Sequence, residues 1–182
     1  MFVGTSLTAG LGLADPDEAY PALIQGKLDS LGLNYRVVNA GVSGETSAGA
    51  LKSIGWLMRA PADVVVIETG ANDGLRGLSV EALRANMQAI IDSVRATHPD
   101  ARIVIAGMEA PPNMGPRYTA AFRAVYPELA RANHAALVPF LLDRVAGVDS
   151  LNQADGIHPN RKGARVVADN VWKVLSNVLS TG

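Results

Sequence analysis

Two short β-branched runs constrain this chain more than any other feature. Val64-Val65-Val66-Ile67 and Ile103-Val104-Ile105 contain no polar residue and are too short for a helix. Runs of this kind read as strands covered on both faces, the signature of a parallel sheet. Between them, Ser79 precedes Leu83, Met87, Ile90, Ile91 and Val94 at helical spacing, and the pattern stops before Pro99. A strand, a crossover helix and a second strand form one parallel βαβ unit.

The alternation continues on either side. Met1–Val3, Tyr35–Asn39 and Ala136–Phe140 read as further strands, and the two runs extend to Asp63–Glu68 and Arg102–Met108. The first strand is shorter than a central strand normally is, so it is either clipped or continued upstream of residue 1. One helix is expected to start at Asp15-Pro16-Asp17-Glu18 and run to Gly32, with Tyr20, Leu23, Ile24, Leu28 and Leu31 on its apolar face. Thr46 is the expected cap of a helix over Ser47–Arg59. Another spans Arg117–Asn133 with an interruption near Pro127, and the last runs from a capping Asn160 to about Ser180. Leu141–Pro159 reads as a long irregular connection with one helical turn. The expected fold is α/β: a three-layer α/β/α sandwich around a central parallel five-stranded sheet, in a single domain over residues 1–182.

Composition removes several classes of function. Lys plus Arg is 16 and Asp plus Glu is 17, so no basic field suggests nucleic acid or an anionic membrane. Cysteine is absent, which removes disulfides, thiolate metal sites and thiol nucleophiles together. No stretch is long and apolar enough to span a membrane, and no signal peptide opens the chain. A leader removed before residue 1 would leave the same sequence, so location stays open between cytoplasmic and exported.

In a parallel sheet the loops after the strands share one edge, and ligands bind in the crevice there. Three polar loops fall at such positions: Gly4-Thr5-Ser6-Leu7, Ala40-Gly41-Val42-Ser43-Gly44-Glu45-Thr46 and Gly70-Ala71-Asn72-Asp73. A fourth, Asp155-Gly156-Ile157-His158-Pro159, lies just before the last helix. Of the three histidines, His98 sits at a helix end and His134 has no obvious partner. Each polar residue has an ordinary reading: Ser6 as a turn hydroxyl, Asn72 as an Asx turn, Asp155 as a brace for its own turn. Together they supply a hydroxyl, an imidazole and a carboxylate. Serine is a poor nucleophile until a base takes its proton, and histidine titrates in the right range to do so. Asp155 would hold the imidazole in one tautomer. The Ser6 and Gly44 backbone N–H groups and the Asn72 amide suit an oxyanion hole. Asp73 reads as a tie for its loop. The nucleophile elbow Gly-x-Ser-x-Gly fails at Thr8, and the spacings of dinucleotide, phosphate-loop and zinc sites are not met.

These four blocks, in this order, resemble those of the SGNH (GDSL) hydrolases, and more narrowly the bacterial arylesterase, acyl-thioesterase and lysophospholipase branch. The family's Gly-Asp-Ser-Leu corresponds to Gly4-Thr5-Ser6-Leu7, so Thr5 stands where the family has aspartate. The stretch Pro111–Tyr118 also resembles that branch. The resemblance implies Ser6 as nucleophile, His158 as base and Asp155 as its partner, with Ser6, Gly44 and Asn72 as oxyanion donors. It implies an acyl-enzyme route on small or medium acyl and aryl esters, or thioesters, with no cofactor and no metal. Branch members are often exported. The expected partner is a small ester substrate, with its acyl group against Leu11, Leu75, Leu78, Met108 and Pro111. A carbohydrate acetylesterase with the same triad, a flavodoxin-like FMN carrier and a catalytically silent binding protein are the competing readings.

Overall fold

The computed structural model describes residues 1–180. Five strands form one parallel sheet: β1 (Phe2–Gly4), β2 (Asn39–Gly41), β3 (Val64–Ile67), β4 (Arg102–Ala106) and β5 (Ala136–Val138), in the order β2-β1-β3-β4-β5. The register is continuous, with Phe2 beside Asn39 and Val66, Val65 beside Ile103, and Ile105 beside Leu137. This is the α/β sandwich with a central five-stranded parallel sheet that the alternating pattern implies. The order reverses direction at β1, so the carboxyl edge of β1 and β3 opens a crevice there.

The longer helices are α2 (Tyr20–Ser30), α3 (Ser47–Leu57), α5 (Val80–Thr97), α6 (Pro116–Ala132) and α7 (Arg161–Ser180). α2 packs on α7, and α3 and α6 both pack on α5, which gives the two helical layers. The core between them is the expected one. Val65, Val66, Ile67, Val104 and Ile105 are buried, and so are Leu83, Met87, Ile90, Ile91 and Val94 of α5. Thr46, Ser79 and Asn160 cap α3, α5 and α7 through their side-chain oxygens.

Four expectations need correction. The second strand is Asn39–Gly41, not Tyr35–Asn39, because its ladder on β1 begins at Phe2, opposite Asn39. The helix expected from Asp15 breaks at Ala19: Asp15 caps a 3₁₀ turn over Pro16–Glu18, and α2 restarts at Tyr20. α6 is not interrupted at Pro127; burial of Phe122, Val125, Tyr126, Leu129 and Ala130 holds it through the missing N–H. Two stretches read as loops are short helices, α1 (Ser6–Ala9) and α4 (Ala71–Leu75).

α1 decides where the Ser6 loop sits. It lies over the end of β2 so closely that a Cβ on Gly41 would stand 2.3 Å from the Ala9 backbone nitrogen. Only glycine lets the two backbones meet there.

Candidate active site

Ser6 is the first residue of α1, directly after β1, and is 8% exposed. Thr5 is the N-cap, and its hydroxyl accepts from the Leu7 N–H at 3.5 Å. The Ser6 hydroxyl therefore stands on a turn whose backbone is fixed from two sides, by the sheet below and the cap above.

His158 arrives from the other end of the chain. Its Nε2 lies 2.8 Å from Ser6 Oγ, and its Nδ1 lies 2.6 Å from Asp155 Oδ2. The other Asp155 oxygen accepts from the Ile157 N–H at 2.9 Å and the His158 N–H at 3.0 Å. Asp155 thus braces its turn and engages the ring at once, so the two readings of this residue are not exclusive. These hydrogen bonds, first those from His158, hold its carboxyl at about 2, well below the usual carboxylate range. An ionised Asp155 accepts from Nδ1–H and leaves Nε2 free to accept from the serine.

The remaining loops close the crevice. Asn72, in α4, donates one amide hydrogen to the Glu45 carbonyl at 2.9 Å, which orients the side chain. The Arg76 guanidinium donates to the Gly44 carbonyl at 2.9 Å. Ser6, Gly44, Asn72 and His158 all line one cavity of about 480 Å³. Asp73 is buried and accepts from both the N–H and the hydroxyl of Ser47, at 2.8 and 2.6 Å. It ties its loop to the start of α3, as its position suggested.

The cavity is mainly apolar. Leu11, Leu75, Met108 and Pro111 line it, joined by Phe140, Leu142 and Ile157, which sequence reasoning did not select. Leu78 does not line it. The chain turns at Arg76 and Gly77 after α4, and Leu78 falls in a separate groove beside Tyr118, whose hydroxyl donates to the Leu78 carbonyl at 2.8 Å. Glu109 is the one carboxylate on the cavity wall, paired with Arg123 at 3.1 Å.

Two other supports went unrecognised. Gln153 donates to the Leu11 carbonyl at 2.7 Å and to the Pro159 carbonyl at 3.0 Å, joining the Ser6 segment to the histidine turn across the chain. Glu68 follows β3 and is buried beneath Ser6's turn. Its signal in the sequence is a charge at the end of an apolar strand, facing the same edge as the polar loops. His98 and His134 lie outside the cavity.

A serine, a histidine and a carboxylate in hydrogen-bonded series, at the carboxyl edge of a five-stranded α/β sandwich, define an acyl-transfer hydrolase of the SGNH class. The chain belongs to the GDSL-like Lipase/Acylhydrolase family, which matches residues 2–166. It is 44% identical over 181 residues to Esterase TesA of Pseudomonas aeruginosa, covering 98% of this chain and 88% of that protein. It is 34% identical to Thioesterase 1/protease 1/lysophospholipase L1 of Escherichia coli K12, covering 99% of this chain and 84% of that protein. Among solved structures it superposes on the psychrotrophic esterase EstA from Pseudoalteromonas sp., inhibited by monoethylphosphonate. The TM-score is 0.91 at 33% identity, over 98% of this chain and 97% of that one. The chain is a carboxylic ester hydrolase. Among the described residues no helix is long and apolar enough to cross a membrane.

Proposed function

We propose that the chain hydrolyses short- to medium-chain acyl and aryl esters, and thioesters, through an acyl-enzyme on Ser6. One observation carries the assignment: the series Ser6 Oγ, His158 Nε2, His158 Nδ1, Asp155 Oδ2, with links of 2.8 and 2.6 Å, opens into the apolar cavity. In the first half-reaction His158 Nε2 takes the Ser6 proton as Oγ attacks the carbonyl carbon. The same proton is then given to the leaving alcohol or thiol. Water repeats the sequence on the acyl-enzyme. Asp155 stabilises the imidazolium formed in each half-reaction. The carbonyl oxygen, negative in the tetrahedral intermediate, is met by the Ser6 and Gly44 N–H groups and the Asn72 amide hydrogen not used on Glu45.

The cavity supports the substrate class. Leucine, methionine, proline and phenylalanine walls suit a hydrocarbon chain, whereas an acetylated sugar needs polar groups along its hydroxyls. The names of the relatives, esterase and thioesterase/lysophospholipase, are consistent with the same range.

The test is one preparation assayed on aryl esters of increasing acyl length, an acyl-CoA, a lysophospholipid and an acetylated sugar, with Ser6→Ala and His158→Ala alongside. Aryl esters of short to medium chains are expected to turn over fastest, and both variants to lose at least about a thousandfold in kcat. Activity retained by Ser6→Ala, or a preference for the acetylated sugar, overturns the proposal.

A further inference from the structure

We propose that Glu68 is a positioning residue for the nucleophile: its buried carboxylate gathers the donors of the turn that carries Ser6 and holds that turn against the sheet. The proposal rests on Ser6 being the attacking group.

Glu68 is completely buried and continues the β3 ladder, its N–H donating to the Val3 carbonyl at 2.8 Å. Its carboxylate accepts from the Thr5 N–H at 2.7 Å, from the Thr5 hydroxyl at 3.0 Å and from the Thr8 hydroxyl at 2.9 Å. The residues before and two after Ser6 therefore end on one side chain. The Thr8 hydroxyl also lies 2.8 Å from the Tyr20 hydroxyl. With Thr8 donating to Glu68, Tyr20 donates to Thr8, and the chain of donors terminates on the carboxylate. Glu68 enters no ion pair among the described residues.

The crossing is tight. A Cβ on Gly4 would stand 2.0 Å from Thr8 Oγ1 and 2.7 Å from Glu68 Oε2. The two side chains close over the α-carbon of Gly4, and only a glycine leaves them room to do so. α1 is four residues long, and a helix that short has little stability of its own. The Glu68 bonds supply what the helix cannot.

A buried carboxylate with no cation beside it ordinarily takes up a proton unless donors surround it. The titratable groups facing Glu68 are Tyr20 from α2 and Tyr126 from α6, both buried phenols that it pushes further toward the neutral form. Burial raises the Glu68 carboxyl to about 7, against the pull of the Thr5 and Thr8 hydrogen bonds. A proton on Oε1 needs an acceptor, and the nearest is Thr5 Oγ1. Accepting it reverses that bond, so Oε1 no longer draws the Thr5 hydroxyl in and only Oε2 still accepts from the turn. The ionised form is the one that holds Ser6. In a chain where threonine stands at the family's aspartate position, β3 provides the negative charge.

The experiment compares wild type, Glu68→Gln, Thr8→Val and Ser6→Ala on p-nitrophenyl butyrate from pH 5 to 9, with circular dichroism of each. Folded Glu68→Gln is expected to lose about a hundredfold in kcat with KM changed less than about twofold, because a shift of ~1 Å in a reacting atom has that effect. The acid limb of kcat/KM should fall with two protons in wild type and with one in Glu68→Gln. Folded Glu68→Gln with kcat within about threefold of wild type, or with the same acid limb, overturns the proposal. If Glu68→Gln does not fold, Thr8→Val decides: the expected result is about a tenfold loss in kcat at constant KM, and an unchanged kcat overturns it. Ser6→Ala separates the two claims. Activity in Ser6→Ala removes the nucleophile assignment itself, whereas an inactive Ser6→Ala beside an unaffected Glu68→Gln removes only the role of Glu68.

Discussion

The two halves of the site are built in opposite ways. The nucleophile half is dry: Thr5, Ser6 and Thr8 are buried, and the carboxylate beneath them is 0% exposed. The histidine half is wet: Asp155, Gly156 and Ile157 are exposed, and the Asp155 side chain is 44% accessible. Each half has one carboxylate, and the environments push them apart, Glu68 up to about 7 and Asp155 down to about 2. Divergent pairs of this kind mark a division of labour. Asp155, held at about 2, stays ionised at neutral pH and engages the His158 ring. Glu68, raised to about 7, gathers the donors on either side of Ser6. The solvated turn is held by local bonds two and three residues apart in sequence, the buried one by bonds spanning 60 and 63 residues. Damage to the first should therefore be chemical, and damage to the second both chemical and structural.

The largest expected separation comes from Asp155→Asn. Asparagine can still accept from the Ile157 and His158 N–H groups, but it no longer stabilises the imidazolium. A loss of about 10³- to 10⁴-fold in kcat is expected, with a melting temperature within about 2 °C of wild type. A drop in melting temperature as large as the one expected for variants of the buried half would break the comparison. Asn72→Ala comes next, at about a hundredfold in kcat with little change in KM. An effect confined to KM would instead make Asn72 a substrate-binding residue.

Thr5→Val probes the dry half. It keeps the side-chain shape, removes the hydroxyl shared by Leu7 and Glu68, and should lose roughly 1 to 3 kcal/mol of stability together with a fall in kcat. Denaturant melts and steady-state kinetics on the same preparation check both. Thr5→Asp is expected to behave differently again. It sets a second carboxylate at hydrogen-bond distance from Glu68, and the pair holds one proton between them. Its melting temperature should fall further below wild type at pH 9 than at pH 6.

The pH dependence of stability separates the two halves as well. Glu68 is raised from 4.5 to about 7, so the folded state binds the extra proton between those values. Its contribution is fully present below about pH 4.5 and is lost as pH rises to about 7, an amount on the order of 3 kcal/mol. Asp155 has the opposite sign. Its stabilisation is present above about pH 4 and is lost toward pH 2, and solvent screening at that exposed position keeps it small. Denaturant melts from pH 4 to 6, below the range in which the buried Met1 ammonium titrates, should show wild type losing stability on the way up and Glu68→Gln losing less. Stability that rises over this range in wild type would mean that burial does not raise the Glu68 carboxyl.

Much of this architecture is legible in the chain, and the gaps have physical causes. β3 and β4 announce themselves through Val64–Ile67 and Ile103–Ile105, because a strand covered on both faces has no polar alternation to confuse it. The second strand is misplaced because register belongs to the pair. Val37 and Val38 suit a strand, but pairing with β1 begins at Phe2 opposite Asn39, and Val38 contributes only its carbonyl, to the Phe2 N–H. Pro127 misleads because tertiary burial outweighs one lost backbone bond. The blocks around Ser6 and Asn72 stand out because β1 and β3 end on one edge, and the structure brings their side chains into one cavity with His158, which precedes α7. Glu68 is invisible as more than the end of a strand, since nothing local reveals that Thr5 and Thr8 fold back over it. Leu78 is placed wrongly for a related reason. Leu78 is close in sequence to the Asn72 loop, but α4 ends at Leu75 and the chain turns at Arg76 and Gly77, which takes Leu78 into the groove beside Tyr118.

Covalent labelling tests the central claim most directly. A p-nitrophenyl alkylphosphonate is incubated with wild type, Ser6→Ala and His158→Ala, with nitrophenol release followed by absorbance and the adduct located by peptide mass. Attack by an activated serine predicts one equivalent of nitrophenol and one adduct on the peptide carrying Ser6. It also predicts no adduct in Ser6→Ala and much slower labelling in His158→Ala. An adduct on another residue, or equal labelling of Ser6→Ala, would contradict the account.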